Sequence, residues 1–467
     1  MKSIKHAVLG LSMLAAAASA AATSQVAVTI DAVHPGPVIN KDLYGQSIGL
    51  SGGAMWVGPG SPVANIRGWR KDMVDALKDL HVPVVRWPGG CAADTYHWRD
   101  GIGAHGDDRE HGHAVGTHEF FDLVESIGAD AHVVGNVGTG SPREAADWIE
   151  YMTSGGESTL AQLRAKNGHP MPFKVAYFGI GNESWGCGGG MKADYYADLY
   201  NQYAVFVKAR SGTPPRLVAS GGDAAWTGEI SKNERIRDYR DAIGIRDGEK
   251  GGIAQHIAAL DGNDPARKLR LVADEWRIRP DRAFARRQDA LGDALAVALR
   301  FHVFHAFAGR VAMASLAQAD QALFLAQGDR VVLTPAYYAF RMHVPFQGAV
   351  ALPVRVDQGT RAIGASAAPT VSASAARSRD GTLYLSLVNT KPDAVAVDVG
   401  VIGSRPRGAS GSILTASAVD AHKTLAAPPS VAPVPFAPRA AHGKLHMTLP
   451  ARSIAVVAIR ATPTPAP

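Results

Sequence analysis

Two carboxylates, Glu183 and Glu275, have the type and spacing to do chemistry in this chain. Glu183 closes the run Tyr177-Phe178-Gly179-Ile180-Gly181-Asn182-Glu183, and Glu275 closes Leu271-Val272-Ala273-Asp274-Glu275. Each run reads as a buried strand that ends near the acid, with a turn beyond it. Two carboxylates brought to one pocket can cleave a glycosidic bond, one delivering a proton to the leaving oxygen and the other working ionised. Read alone, each could instead be a strand-end acid paired with an arginine. Asp274 is a competing carboxylate beside Glu275, with Arg277 two residues on.

The elements that must position this pair follow from periodicity. Apolar runs at 84–87, 131–135, 175–180, 217–219, 269–273 and 311–314 alternate with helical spacings at 65–80, 118–127, 144–152, 192–209 and 290–308. Ser141-Pro142-Arg143-Glu144 carries an N-cap serine, a first-turn proline and a glutamate three residues on. Roughly seven or eight strand–helix units fill 41–330, which predicts an α/β fold, a (β/α)8 TIM barrel spanning 41–345. No Gly-x-Gly-x-x-Gly follows the first strand, which argues against a dinucleotide-binding sheet. Beyond about 345 the pattern changes to short alternating strands separated by Gly, Pro and Asp turns, an all-β sandwich over 346–461. A strand at 25–30, in the N-terminal segment 23–40, could join that sandwich. The Pro-rich stretch 426–438 reads as a loop and 462–467 as a disordered tail.

Composition bounds the function classes. The 467 residues are 46% hydrophobic and 19% charged, a globular balance. A basic start, the apolar stretch 6–17 and the small residues Ala18-Ser19-Ala20 read as a cleavable signal peptide, 1–22, and predict a periplasmic or secreted protein. Nothing else resembles a membrane span. The formal charge is +6, and basic residues lie scattered among acids, so nucleic acid is not an expected partner. Composition is compatible with a homo-oligomer and does not set its size. Cys91 and Cys187 could form one bridge in an exported protein or remain two thiols. The histidines at 105, 111, 113 and 118 match no ligand spacing, so no metal or other cofactor is expected.

In a barrel, catalytic residues sit at the C-terminal strand ends. That rule selects Arg86-Trp87-Pro88-Gly89-Gly90-Cys91 after the second strand, Asn136 after the third, Asn182-Glu183 after the fourth, Asp274-Glu275 after the seventh and Ser315-Leu316-Ala317-Gln318 after the last. Long stretches around these positions resemble the α-L-arabinofuranosidases of glycoside hydrolase family 51: RWPGGCAADTYHWRDGIG at 86–103, GTHEFFDLVESIGADAHVVGNVGTGSPREAADWIEYMT at 116–153 and YFGIGNESWGCGGGMKADYYADLY at 177–200. Shorter matches are VADEW at 272–276, MASLAQ at 313–318 and TPAYYAF at 334–340.

The resemblance implies a retaining hydrolase with Glu183 as acid/base and Glu275 as nucleophile, their carboxyls about 5–5.5 Å apart. The acid would need a raised pKa, from partial burial and its negative neighbour, with Trp185 supplying a partly apolar wall. It further implies that Asn182 donates to the sugar 2-hydroxyl, that Cys91 lies at a polar sugar contact and that Gln318 reaches the sugar. Cys91 could equally pack the barrel top, and Gln318 could be a polar residue opening a helix. Trp98 and Trp56 could stack on a sugar or pack the core.

Two departures stand out. The loop after the first strand, Gly45-Gln46-Ser47-Ile48-Gly49-Leu50-Ser51, has no acid where the family carries a sugar-binding glutamate. No His-Tyr-Tyr ends a sixth strand; Tyr239 and His256 are the nearest candidates, so that unit reads as truncated or rebuilt. The expectation is exported, retaining release of terminal non-reducing α-L-arabinofuranosyl residues from an arabinose-containing glycan. The alternatives are another furanoside, a β-xyloside, or a non-hydrolytic or weakly active sugar-binding relic.

Overall fold

The computed structural model describes residues 25–103, 113–238, 242–245, 252–278, 289–357, 371–422 and 431–463. The leader, His105, His111 and Tyr239 lie outside the described residues, as do 464–467 of the expected tail.

Eight parallel strands close a barrel: β1 (Gly45–Ser47), β2 (Val84–Trp87), β3 (Asp130–Gly135), β4 (Val175–Ile180), β5 (Arg216–Gly222), β6 (Ala242–Ile245), β7 (Arg270–Trp276) and β8 (Val311–Leu316). Each pairs with the next, and β8 returns to β1 through Ser315↔Gly45 and Leu316↔Gln46. The sixth strand, expected to be truncated or rebuilt, is present and only 4 residues long. The strand interiors are apolar and β-branched, as a sheet covered on its outer face requires. Val84, Tyr177, Val218, Val272 and Met313 form one packed layer inside the barrel.

Helices ring the barrel. Ser141 caps Pro142–Thr153, its hydroxyl accepting from Glu144 N at 3.2 Å, as the motif predicts. The helical reading of 65–80 needs correction: the helix is Lys71–Asp79, and Asn65–Ile66 pairs with Trp69–Arg70 as a small hairpin. Arg67 and Gly68 both take positive φ, which bends the chain into a turn that helical spacing cannot reveal.

The all-β region is two facing sheets. One has the order Val354–Asp357, Gln25–Asp31, Val395–Ile402, Lys444–Leu449, Arg439–Ala441. The other runs Val350–Leu352, Val371–Arg377, Leu383–Asn389, Ser453–Pro463, Ser404–Thr415, Val434–Phe436. The N-terminal strand lies inside the first sheet, parallel to Val395–Ile402 and antiparallel to Val354–Asp357. Its alternating burial puts Val26, Val28 and Ile30 in the sandwich core. Within the Pro-rich stretch read as a loop, Val434–Phe436 is an edge strand, where Pro435 disturbs no inner ladder. The last strand runs to Pro463, so 462–463 are paired with Arg405 and Ser404 rather than free.

Sandwich and barrel meet across a buried polar seam. His302 and His305, on the helix Leu291–Ala306, and His343, on Pro335–His343, face Ser372, Ser374 and Ser386 of the second sheet.

Candidate active site

The strand-end rule holds in three dimensions, because a closed parallel barrel carries all eight C-terminal ends to one rim. β4 ends with Gly181 at φ +82° and Glu183 at φ +42°. A left-handed backbone is costly for glutamate, and such strain persists where surrounding structure enforces it. Here the enforcement is visible. Gly186 N and Gly188 N donate to Glu183 O at 2.7 and 3.1 Å, Ser184 N donates to Ser220 Oγ at 3.0 Å, and Trp185 Nε1 donates to Gly221 O at 2.9 Å. The loop after β4 is thereby tied to the end of β5, with Trp185 half-buried at the rim and the Glu183 side chain partly exposed.

Cys91 and Cys187 form a disulfide, which resolves the open pairing and joins the loops after β2 and β4. Cys187 Sγ lies 3.6 Å from Glu183 Oε2. Next to Cys91 stands Gly90, at φ +66°, and a Cβ there would lie 3.8 Å from Glu275 Oε2. Glu183 and Glu275 therefore flank the same short segment of the β2 loop. Cys91, Glu183 and Cys187 also form the one cluster of metal-ligand types among the described residues. With both sulfurs bonded to each other, it offers no thiolate and does not fit a metal.

Arg86, fully buried at the end of β2, is the electrostatic hub. Its Nη2 donates to Asn182 Oδ1 at 2.5 Å and lies 3.6 Å from Asp274 Oδ2, and its Nη1 lies 4.0 Å from Glu275 Oε2. Burial pushes the Asp274 carboxyl up to about 6, reinforced by the negative charges of Glu275 and Glu183 and opposed by Arg86. Both candidate carboxylates thus act on one half-buried acid. Arg277 Nη2 reaches Glu275 Oε1 at 2.9 Å from the solvent side, so Glu275 sits between two guanidiniums.

A cavity of about 220 Å³ opens at this rim, lined by residues of the loops after β1, β2, β7 and β8, Glu275 and Gln318 among them. Asp274, Glu183 and Asn182 do not line it; Glu183 lies on the other side of the Gly90–Cys91 segment, beside the disulfide. Two larger clefts, about 760 and 820 Å³, lie at the opposite end of the barrel and on the sandwich, and neither includes a strand-end candidate.

The other candidates divide. Asn182 is buried with its Nδ2 unbonded among the described residues, a donor available at the rim. Gln318 is exposed in the cavity wall at φ +53°. Asn136 does not offer its amide to a sugar: Nδ2 donates to Tyr96 O and Thr139 Oγ1, and Oδ1 accepts from Thr139 N and Gly140 N. It shapes its own loop instead. Trp98 is 1% exposed, packed on Tyr151 with Arg99 over its ring, so it belongs to the core and presents no face for stacking. Trp56 packs edge-on against Trp69 and lies away from the cavity lining. His256 is buried in the outer helix Gly252–Asn263, its Nδ1 2.9 Å from Thr227 Oγ1, and supplies no sixth-strand group at the rim. His118 is likewise buried, 2.5 Å from Tyr151 Oη.

Sequence reasoning missed Asp94. Its Oδ1 accepts from Val137 N and its Oδ2 from Asn182 N, at 2.9 and 2.8 Å, so one carboxylate fastens the loops after β2, β3 and β4. Burial raises it to about 6 against those bonds. Gly188 completes the fit, since a Cβ there would meet Asn182 O at 2.2 Å and Asp94 Oδ2 at 2.5 Å. The one signal was position, an acid within a Gly-rich strand-end block.

Comparison with known proteins agrees with this geometry. Residues 76–239 match the model of the "Alpha-L-arabinofuranosidase 1 domain", and 274–453 that of the "Alpha-L-arabinofuranosidase C-terminal domain". The chain is 35% identical to an intracellular exo-α-L-arabinofuranosidase of Bacteroides ovatus, covering 96% of this chain and 98% of the relative. It superposes on the GH51 arabinofuranosidase of Xanthomonas axonopodis pv. citri with a TM-score of 0.83 at 34% identity, covering 93% and 100% of the two chains. The α-L-arabinofuranosidase of Thermotoga maritima, solved with arabinose, superposes at 0.78 and 25% identity, covering 94% and 100%.

Proposed function

Because the chain belongs to the glycoside hydrolase family 51 α-L-arabinofuranosidases, we propose that it removes terminal, non-reducing α-L-arabinofuranosyl residues with retention of configuration. The observation that carries this reading is the placement of Glu183 and Glu275 on either side of Gly90 and the Cys91–Cys187 bridge, both acting on Asp274. Glu275, between Arg86 and Arg277, is the nucleophile, and its carboxylate attacks the anomeric carbon. Glu183 delivers a proton to the departing oxygen, leaving a glycosyl ester on Glu275. Glu183 then takes a proton from water, whose oxygen attacks the same carbon and frees Glu275. The unbonded Asn182 Nδ2 donates to the sugar 2-hydroxyl, a contact that strengthens as charge develops. A cavity of about 220 Å³, below the roughly 300–1,000 Å³ of drug-sized sites, suits one terminal sugar ring better than a chain.

We also propose export. The leader-like first 22 residues and a disulfide at the rim support it, since disulfides persist in oxidising compartments.

The protein should release p-nitrophenol from its α-L-arabinofuranoside, and Glu183→Ala and Glu275→Ala should each cut release severely. Azide should rescue Glu275→Ala by forming a glycosyl azide of inverted configuration. No release by the wild type between mildly acidic and mildly alkaline pH, with arabino-oligosaccharide binding intact, would sink the hydrolase reading and leave the sugar-binding one.

A further inference from the structure

We infer that Asp320 is a substrate-binding residue whose carboxylate accepts hydrogen bonds from hydroxyls of the bound arabinofuranosyl ring. The inference rests on reading the rim cavity as the sugar site. It starts from what a furanosyl pocket needs. Every ring hydroxyl carries a proton to donate, and a carboxylate is the strongest side-chain acceptor for it. The loop after β1 supplies no acid, and a Cβ on Gly49, in that loop, would meet no atom within 4 Å. Among the described lining residues, only Glu275 and Asp320 carry carboxylates. With Glu275 committed to the anomeric carbon, Asp320 is the remaining acid in the wall.

Barrel closure explains how it reaches the site. β8 pairs with β1, so the loops that follow them lie side by side. Gln318, in its left-handed conformation, turns the chain after β8 into the short helix Ala319–Ala322, and Asp320 faces the β1 loop. There its Oδ2 accepts from Ala54 N at 3.4 Å, a long bond, and the backbone N–H groups of Asp320 and Gln321 also bond the carboxylate, whose two oxygens offer about four acceptor sites and so keep room for a ligand. Glycine at 53 makes the approach feasible, because a Cβ there would come 1.9 Å from Asp320 Oδ2. Ser51, Gln318 and Gln321 line the same cavity and add further polar groups to it. A sugar-binding acid is thus supplied from the eighth strand instead of the first.

The test pairs enzyme and substrate changes. Asp320→Asn keeps an acceptor for Ala54 N and removes the charge. It should lower kcat/KM for p-nitrophenyl α-L-arabinofuranoside by about 10- to 100-fold, chiefly through KM, and weaken inhibition by arabinose in parallel. The 2-, 3- and 5-deoxy arabinofuranosides then locate the contact. Removing the hydroxyl that Asp320 binds should penalise the wild type by about tenfold or more and the variant hardly at all. Each comparison is a ratio within one protein, so partial misfolding of the variant cancels. Additive penalties for all three analogues, or kcat/KM within twofold of wild type, overturn the assignment. A wild type with no activity would instead overturn the hydrolase reading itself.

Discussion

Acidification should loosen the joint between barrel and sandwich, and the seam of three histidines sets the magnitude. His343 Nδ1 must donate to Ala339 O, 2.7 Å away, because a carbonyl can only accept, so its Nε2 accepts from Ser386 Oγ at 2.9 Å. Ser386 has one proton to give, and His302 Nε2, 2.8 Å from the same oxygen, therefore donates to it. His305 bridges Ser374 and Tyr44. These bonds use neutral rings, and His305 stacks between Phe301 and Phe346. Burial lowers His343 to about 4 against its bond to Ala339, and holds His302 and His305 well below the ordinary value, His302 further disfavoured by His343 and His305 by both. The unfolded chain takes up these protons near pH 6.5, and the native state does not until far lower pH. Stability is therefore fully present above about pH 6.5 and falls as pH drops towards 4. For His343, 2.5 pH units (6.5 − 4) at 1.36 kcal/mol each amount to about 3 kcal/mol. At pH 5 the His343 ring alone costs roughly 2 kcal/mol, a large share of a domain's stability, and His302 and His305 act in the same direction. Urea unfolding of wild type and His343→Gln at pH 7 and pH 5 reads this directly. The wild type should lose about 2 kcal/mol more than the variant between the two pH values. Equal losses would refute the seam as the acid-sensitive element.

The remaining expectations concern the rim. Cys91→Ser/Cys187→Ser opens a loop whose ends are 96 residues apart, for which chain entropy alone gives roughly 4–5 kcal/mol. Reductant should lower the wild-type melting point and leave the double variant unmoved; no response in either would show the bridge to be energetically idle. Asp94→Ala strands the buried Val137 and Asn182 N–H groups at about 1–3 kcal/mol each. Its kcat/KM should fall at least tenfold with a lower urea midpoint, while Asp94→Asn, which keeps one acceptor, should fall between it and wild type. The Glu183, Glu275 and Asp320 variants complete the set.

Much of this molecule was legible in its residues, and the reason is local. Strand and helix periodicity depend on which face a side chain presents, so β2, β4, β7 and β8 stand where apolar runs predicted them, each ending at its candidate residue. The hairpin at 65–70 escaped because a turn at Arg67-Gly68 interrupts a spacing that by itself reads as helix. Trp98 and Asn136 looked like sugar contacts by position along the chain, but burial against Tyr151 and saturation by Thr139 and Gly140 remove them. The sixth unit read as truncated or rebuilt because its strand's 4 residues carry too little pattern to register, yet β5 and β7 hold it in the ladder.

By itself, then, the sequence determined the fold class, the family and the candidate carboxylate pair, because these rest on short-range pattern and long matching blocks. Only the tertiary structure decided the Cys91–Cys187 bridge, Arg86 between Asn182 and the two acids of β7, Asp94 across three loops, and Asp320 beside the first-strand loop. Each joins groups far apart in the chain. Their proximity is created by barrel closure, which carries eight loops to one rim and makes the last strand the neighbour of the first.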